Sequence, residues 1–173
     1  MHPSYIPVTK YNIDNYITTG IKSYKEHYLH LWKNNDPSPF IEAFLTKESV
    51  VKSLEDSSQL FYLIKIKDNI AGILNLTLDS KKGSFLSKEN LLLNKIYLLK
   101  KYSTRGIGSE TLKFVERLAQ KNKKEVVWLY AMKKGNPLDF YKKHDYKIVK
   151  ESCIDLPNVL DAEKEMWLMA KNL

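Results

Sequence analysis

Two glycines, Gly106 and Gly108, stand in the run Tyr102-Ser103-Thr104-Arg105-Gly106-Ile107-Gly108-Ser109, between an apolar stretch and a long amphipathic one. The apolar residues 91–99 read as a buried strand, and Leu112, Val115, Leu118 and Ala119 then recur at helical spacing. Strand, glycine turn and helix start therefore follow in order. Glycine lets a backbone approach a ligand without a Cβ clash, and the free amides of a helix's first turn face outward at the positive end of its dipole. That is a cradle for a phosphate or pyrophosphate. The same turn also serves as a plain connector, so the pair alone leaves both readings open. A nucleoside-triphosphate loop would need Gly-x-x-x-x-Gly-Lys-Ser/Thr, which is missing from the sequence. A dinucleotide fingerprint would need a third glycine where Thr111 stands.

At 173 residues the chain is long enough for one domain with a full core. The single cysteine, Cys153, excludes an internal disulfide and a cysteine-based zinc site. No apolar stretch approaches the roughly 20 residues that span a bilayer, and the start Met1-His2-Pro3-Ser4 lacks a signal-peptide pattern. A soluble cytoplasmic protein without membrane contact is expected. The net charge of +8 raises nucleic acid as a partner, yet Arg105 and Arg117 are the only arginines and the lysines are spread along the chain. Direct base reading leans on bidentate arginine, so no nucleic-acid partner is expected.

The remaining periodicities give a mixed α/β order. Residues 5–8 read as an opening strand, and Ile13, Tyr16, Ile17, Ile21 and Tyr24 mark a first helix that Asp36-Pro37-Ser38-Pro39 stops. A second helical region runs from Phe40, with Thr46 as the N-cap of a segment carrying Val50, Val51 and Leu54. Residues 60–66 and 70–78 alternate as strands around an Asp68-Asn69 turn, and 79–90 form a mobile polar loop. Asn136 and Pro137 suit the N-cap and first position of a later helix, and 146–152 and 165–170 are the closing strands.

At Ser103-Thr104-Arg105-Gly106-Ile107-Gly108 the chain resembles the GCN5-related N-acetyltransferase (GNAT) family, whose cofactor loop reads Gln/Arg-x-x-Gly-x-Gly/Ala. Val126-Val127-Trp128-Leu129-Tyr130-Ala131 looks like that family's fifth strand, Phe140-Tyr141-Lys142-Lys143 like its next helix and Glu165-Met166-Trp167-Leu168-Met169 like its closing strand. The resemblance covers the whole chain, as a single N-acetyltransferase domain over residues 1–173. It extends to the bacterial spermidine/spermine N-acetyltransferase branch through the aromatic first helix, Leu60-Phe61-Tyr62-Leu63-Ile64 and Ile96-Tyr97-Leu98-Leu99-Lys100.

The resemblance implies an α/β (α+β) fold with a mixed, mostly antiparallel central sheet flanked by helices. It implies acetyl transfer from acetyl-CoA to a primary amine by direct attack, with no metal. Such an acceptor ordinarily titrates near pH 10.4, so presenting it neutral at pH 7 costs roughly 4 to 5 kcal/mol. By resemblance the cofactor lies on the strand residues Ile96, Tyr97 and Leu98 and the loop residues Thr104, Arg105, Gly106, Ile107, Gly108 and Ser109. Asn136, Tyr141 and Lys143 complete its contacts, while Lys100, Lys101 and Lys142 stand near enough in sequence to add positive charge. Backbone near Leu98 would stabilise the oxyanion, and Tyr141 would protonate the departing thiolate.

Four departures from the family pattern stand out. Ser103 replaces Gln or Arg, Asn94 replaces a glutamate proposed as general base, and Asp145 replaces a glycine. The loop from Trp128 to Tyr141 is one residue short, so the pantetheine-contacting asparagine matches either Lys134 or Asn136. Tyr130, His27 and His30 are then the alternative bases. The acceptor site implied by the family lies among Tyr24, Glu26, His27, Tyr28, Trp32, Asp36 and Glu42, with Tyr28 and Trp32 as its foremost candidates. A polyamine is the first acceptor expected, since carboxylates and aromatic faces hold ammonium groups. An aromatic stripe at helical spacing is equally the mark of a core. A peptide or protein amine is the alternative acceptor, and a weakly catalytic acetyl-CoA-binding sensor the alternative function. A homodimer through an exposed sheet edge is an open option.

Overall fold

The computed structural model describes residues 2–82 and 89–173. One sheet of seven strands runs through it in the order β1-β2-β3-β4-β5-β7-β6. The strands are β1 (Ser4–Pro7), β2 (Gln59–Ile66), β3 (Asn69–Leu78), β4 (Asn90–Leu98), β5 (Val126–Met132), β6 (Lys147–Cys153) and β7 (Glu165–Asn172). Every neighbouring pair is antiparallel except β4 and β5. That parallel pair is joined through the glycine turn and α4 (Ile107–Lys121), the crossover that parallel strands require.

The helices cover both faces. α1 (Ile13–Tyr28), α2 (Ser38–Phe44) and α3 (Lys47–Leu54) lie on one side, where Ile13, Tyr16, Leu45 and Val50 pack on Phe61, Leu63 and Ile73. α4 and α5 (Pro137–Lys142) lie on the other, where Ile107, Leu112, Val115 and Tyr141 pack on Leu74, Leu93 and Leu129. Strand alternation produces the two cores: along β3, Ile73 joins the first and Leu74 the second. Thr46 caps α3 as expected, its hydroxyl accepting from Ser49 N at 3.1 Å while Ser49 Oγ accepts from Thr46 N.

Strand ends shift by one or two residues from the sequence reading, and larger differences fall at the helix and turn boundaries. α1 ends at Tyr28, ahead of Asp36, and two 3-10 turns, Leu29–Leu31 and Lys33–Asn35, carry the chain onward. Asn34 and Asn35 there take φ of 56° and 54°, a conformation that asparagine tolerates better than most residues. Asp36 then starts α2, accepting from Ser38 N at 3.0 Å, so that helix begins two residues before Phe40. The β2–β3 turn is Lys67-Asp68, with Lys67 at φ 53° and Ile66 facing Asn69, one residue earlier than Asp68-Asn69 suggested. Asn136 flanks α5 and Pro137 opens it, but Asn136 makes no side-chain cap bond. Of the loop expected at 79–90, residues 83–88 lie outside the described residues, and Asn90 already belongs to β4.

The feature that shapes the site is where β4 and β5 part. Their pairing runs only from Asn90 with Val126 to Leu93 with Leu129. Just beyond it, the register with β3 shifts between Asn75 and Leu76, which leaves Asn94 as the extra residue on β4. Residues 94–98 therefore diverge from β5 and open a cleft. Gly72 of β3 lies opposite, where a Cβ would collide with the Tyr97 carbonyl oxygen.

Candidate active site

Two cavities occupy the cleft and share a wall. The larger, about 650 Å³, is bounded by the glycine turn, the start of α4, α5 and the end of β4. The smaller, about 470 Å³, is bounded by α1, α2, the middle of β4 and the segment after β6. Tyr28, Ile96, Tyr97, Met132 and Tyr141 line both. The passage between them is thus formed by β4 on one side and α5 on the other.

The end of β4 presents backbone to that passage. Leu99 N donates to Ala71 O at 2.8 Å, which turns residues 97 and 99 toward β3. By antiparallel alternation the amides of Ile96 and Leu98 face the opposite side, the one β5 has left. The Leu98 carbonyl accepts from His27 Nε2 at 3.0 Å, so that ring nitrogen carries the proton. α1 in this way pins the strand end from above. Glu26 adds a second tie, its carboxylate accepting from Lys100 N at 2.6 Å.

The glycine turn forms the floor of the larger cavity. Gly106 adopts φ 78°, the left-handed region that glycine enters without strain. The first helical bond of α4 is Glu110 N to Gly106 O, so the amides of Ile107, Gly108 and Ser109 precede it. A Cβ on Gly108 would sit 3.1 Å from Phe140 Cζ, so a larger residue would crowd the α5 ring that covers this turn. Ser109 Oγ lies 2.9 Å from His144 Nε2, which ties the same turn to the end of α5.

The expected residues divide. Leu98, Thr104, Gly106, Gly108, Ser109 and Asn136 line the larger cavity, and Ile96, Tyr97 and Tyr141 line both. Arg105 and Lys143 are exposed and line neither, and Ile107 turns its side chain into the core with no exposure. Helical periodicity accounts for Ile107, since it shares the buried face with Thr111, Leu112 and Val115. Lys134 and Asn136, the two matches left open by the shortened loop, both line the larger cavity, with Gly135 between them at φ 86°. Lys134 is already paired with Glu163 at 2.9 Å.

On the acceptor side Tyr24, Tyr28 and Trp32 line the smaller cavity, and Trp32 Nε1 donates to the Tyr24 hydroxyl at 3.1 Å. Tyr24 stacks on Phe40 with ring centroids 3.9 Å apart, and Tyr97 meets Tyr24 edge-on at 5.6 Å. His27 and His30 face the larger cavity instead. Glu26, Asp36 and Glu42 line neither, which corrects the expectation of a carboxylate-rich acceptor wall. α1 ends early, and Glu26 and Asp36 are used in backbone bonds. Asn94 is on the wall, its amide donating to Thr77 Oγ1 at 2.7 Å, and Tyr130 lines the same cavity.

Burial decides the protonation of the aromatic wall. It pushes the Tyr141 phenol well above its ordinary value, with Tyr28 adding to the effect. Tyr97 and Tyr28 are displaced upward for the same reason, and so is Tyr24, despite the bond from Trp32. All four stay neutral near pH 7, and Tyr141 keeps a proton to donate. Sequence reasoning missed Lys95, Phe140 at Gly108 and the Ser109–His144 pair. The pair joins residues 35 apart, so no local spacing announces it.

Among the described residues no group of three His, Cys, Asp or Glu side chains could hold a metal ion, and no helix is long and apolar enough to cross a membrane. A similar curated protein is an uncharacterised N-acetyltransferase encoded 3′ of pepI in Lactobacillus delbrueckii subsp. lactis, 26% identical over 113 residues. The match spans 63% of this chain and 65% of that relative's length. Among solved structures, the PaiA N-acetyltransferase of Thermoplasma acidophilum in complex with coenzyme A superposes with a TM-score of 0.76, 18% identity and full coverage of both chains. A GNAT family acetyltransferase of Elizabethkingia anophelis with acetyl-CoA bound gives 0.61 at 18% identity over 99% of each chain. The splayed seven-stranded sheet flanked by helices is thus the fold of these acetyltransferases. The Acetyltransferase (GNAT) family profile matches residues 21–146, most of the length, from the second half of α1 through β4, the glycine turn, α4 and α5, and the chain belongs to that family.

Proposed function

We propose that the protein transfers an acetyl group from acetyl-CoA to a small primary amine, with the cofactor in the larger cavity and the acceptor in the smaller. The observation that carries this reading is the meeting of the two cavities between the free amides of β4 and the hydroxyl of Tyr141. The residues present fit the cofactor: a glycine turn where a Cβ at Gly108 would crowd the Phe140 ring, first-turn amides of α4 open to a diphosphate, and a cavity of about 650 Å³. Acetyl-CoA, when bound, supplies an activated acyl carbon that an amine attacks directly.

The chain's own groups have three tasks. The amides of Ile96 and Leu98 are aimed at the passage and hold the negative charge that develops on the acyl oxygen. Tyr141, neutral and on the wall of both cavities, donates its proton toward the sulfur. The aromatic wall of Tyr24, Tyr28, Trp32 and Tyr97 strips water from the acceptor and disfavours its ammonium form, a role the Asn94 amide cannot take as a base. A polyamine is a second reading, favoured by the stacked rings of Tyr24 and Phe40 beside this cavity.

The test is thiol release from acetyl-CoA with a panel of small amines and lysine peptides, comparing the wild type with Tyr141→Phe. Turnover should fall by roughly a hundred-fold in the variant while acetyl-CoA binding persists. Equal turnover would remove Tyr141 as the proton donor. Binding without release for every acceptor would leave a CoA-binding protein that does not transfer.

A further inference from the structure

Lys95 sits on β4 between the bulged Asn94 and Ile96, and its side chain lines the acceptor cavity. Its ammonium lies 4.8 Å from the centroid of the Phe44 ring and 3.5 Å from Asn75 Oδ1, the long limit of a hydrogen bond. Three other half-buried lysines each hold a carboxylate, Lys124 with Asp79 at 2.6 Å, Lys133 with Glu151 at 2.8 Å and Lys171 with Glu116 at 2.9 Å, whereas the half-buried Lys65 of β2 lines neither cavity and is not ion-paired among the described residues. Lys95 has no carboxylate within ion-pair distance among the described residues. A half-buried charge without a counter-ion is costly, and here its side chain lines a cavity. Lys82 lines the same cavity, and Asp155, exposed at its margin, is the only acidic residue on the described wall.

We propose that Lys95 recognises a carboxylate on the acetyl acceptor, so that the preferred substrates are amino carboxylates rather than polyamines. This rests on the transfer reading above and adds the class of molecule it acts on. A polyamine would bring further ammonium groups to a wall that already presents Lys95 and Lys82. An amino carboxylate places its own charge on the unpaired cation while the aromatic residues enclose its methylenes. Burial, and secondarily Lys82, lowers Lys95 to about 8, so at pH 7 the side chain is still mainly charged and able to pair.

The experiment measures kcat/KM for β-alanine, 4-aminobutyrate and 6-aminohexanoate against n-alkylamines of matched length, spermidine and a matched aminoalkylphosphonate. The proteins are wild type, Lys95→Met and Lys95→Arg. In the wild type the carboxylates should exceed the alkylamines by roughly ten- to a hundred-fold, mostly through KM, as a charge-assisted hydrogen bond provides. Lys95→Met should erase that ratio, and Lys95→Arg should keep most of it. A wild type that favours spermidine or alkylamines, or a carboxylate preference that survives in Lys95→Met, overturns the proposal. A larger Lys95-dependent response to the phosphonate overturns carboxylate in favour of a phosphate-type group. Should no amine release thiol, the transfer reading falls by itself. Calorimetric binding of N-acetyl-4-aminobutyrate to the CoA-loaded protein then decides the role of Lys95: affinity at least ten-fold weaker in Lys95→Met supports it, and equal affinity overturns it.

Discussion

Replacing Lys95 by methionine should make the fold more stable at neutral pH, with a gain that fades as the pH rises. Lys95 is lowered from its ordinary 10.5 to about 8, by burial first and by the like charge of Lys82 second. Between those values the unfolded chain binds more protons at this site than the folded one, so stability rises with pH across that window and is lost as pH falls through about 8. At roughly 1.4 kcal/mol per unit of displacement, the buried charge costs about 3 kcal/mol at pH 7 and about 1 kcal/mol at pH 9.5. Methionine keeps the unbranched stem and carries no charge. Its packing is the same at both pH values. The measurable quantity is therefore the change in the gap between the two proteins, about 2 kcal/mol, or about 4 to 8 °C in Tm for a chain of this size. The other groups around the cavity, namely Lys82, Cys153, Asp155 and tyrosines 24, 28, 97, 130 and 141, are common to both proteins. Burial also raises all five tyrosines, which keeps their titration late. Urea unfolding at pH 7.0 and pH 9.5, at fixed ionic strength, provides the assay. A gap of the same size at both pH values would refute the argument, because it would mean that the Lys95 ammonium is not held against its own burial.

Two further outcomes follow from the glycines. Gly72→Ala should destabilise the fold by about 2 kcal/mol or more and abolish transfer, because the new methyl meets the Tyr97 carbonyl and lies 3.0 Å from Leu98 Cα, backbone that cannot swing aside; denaturant unfolding within about 0.5 kcal/mol of wild type would contradict this. Gly108→Ala should weaken CoA binding by driving Phe140 from its place over the turn, and adding Phe140→Leu should restore part of the affinity. Calorimetry on the four proteins of that cycle reads the coupling, and strictly additive losses would show that the ring is not the obstacle.

Features set by a few neighbouring residues were legible in advance. The Thr46 cap, the Pro137 helix start, the left-handed Asp145 at φ 68° and the strand, turn and helix around Gly106 all depend on local backbone chemistry. The fold class was legible for the same reason, since periodicity separates strands from helices along the chain. Boundaries shifted where side chains offered the backbone competing partners. Asp36 binds the start of α2 instead of ending α1, and Lys67 takes the left-handed position of a turn whose sequence pointed to Asp68-Asn69.

The sequence by itself determined that a strand, a glycine turn and a helix start would follow one another around Gly106 and Gly108, because backbone freedom and helical periodicity are local properties. It also placed Tyr141 in a helix next to an aromatic neighbour, without telling which of the two would face the cleft. Only the tertiary structure decided that Tyr141 lines both cavities while Phe140 covers the glycine turn. It alone decided that Glu26 would be used on Lys100 N, that Ser109 would meet His144, and that Lys95 would be buried without a carboxylate. These contacts join strands and helices whose spacing depends on where β4 leaves β5, and the energy of a charge or a hydroxyl depends on what surrounds it in space. A residue's chemistry is written in the chain; its solvent and its partners are supplied by the packing.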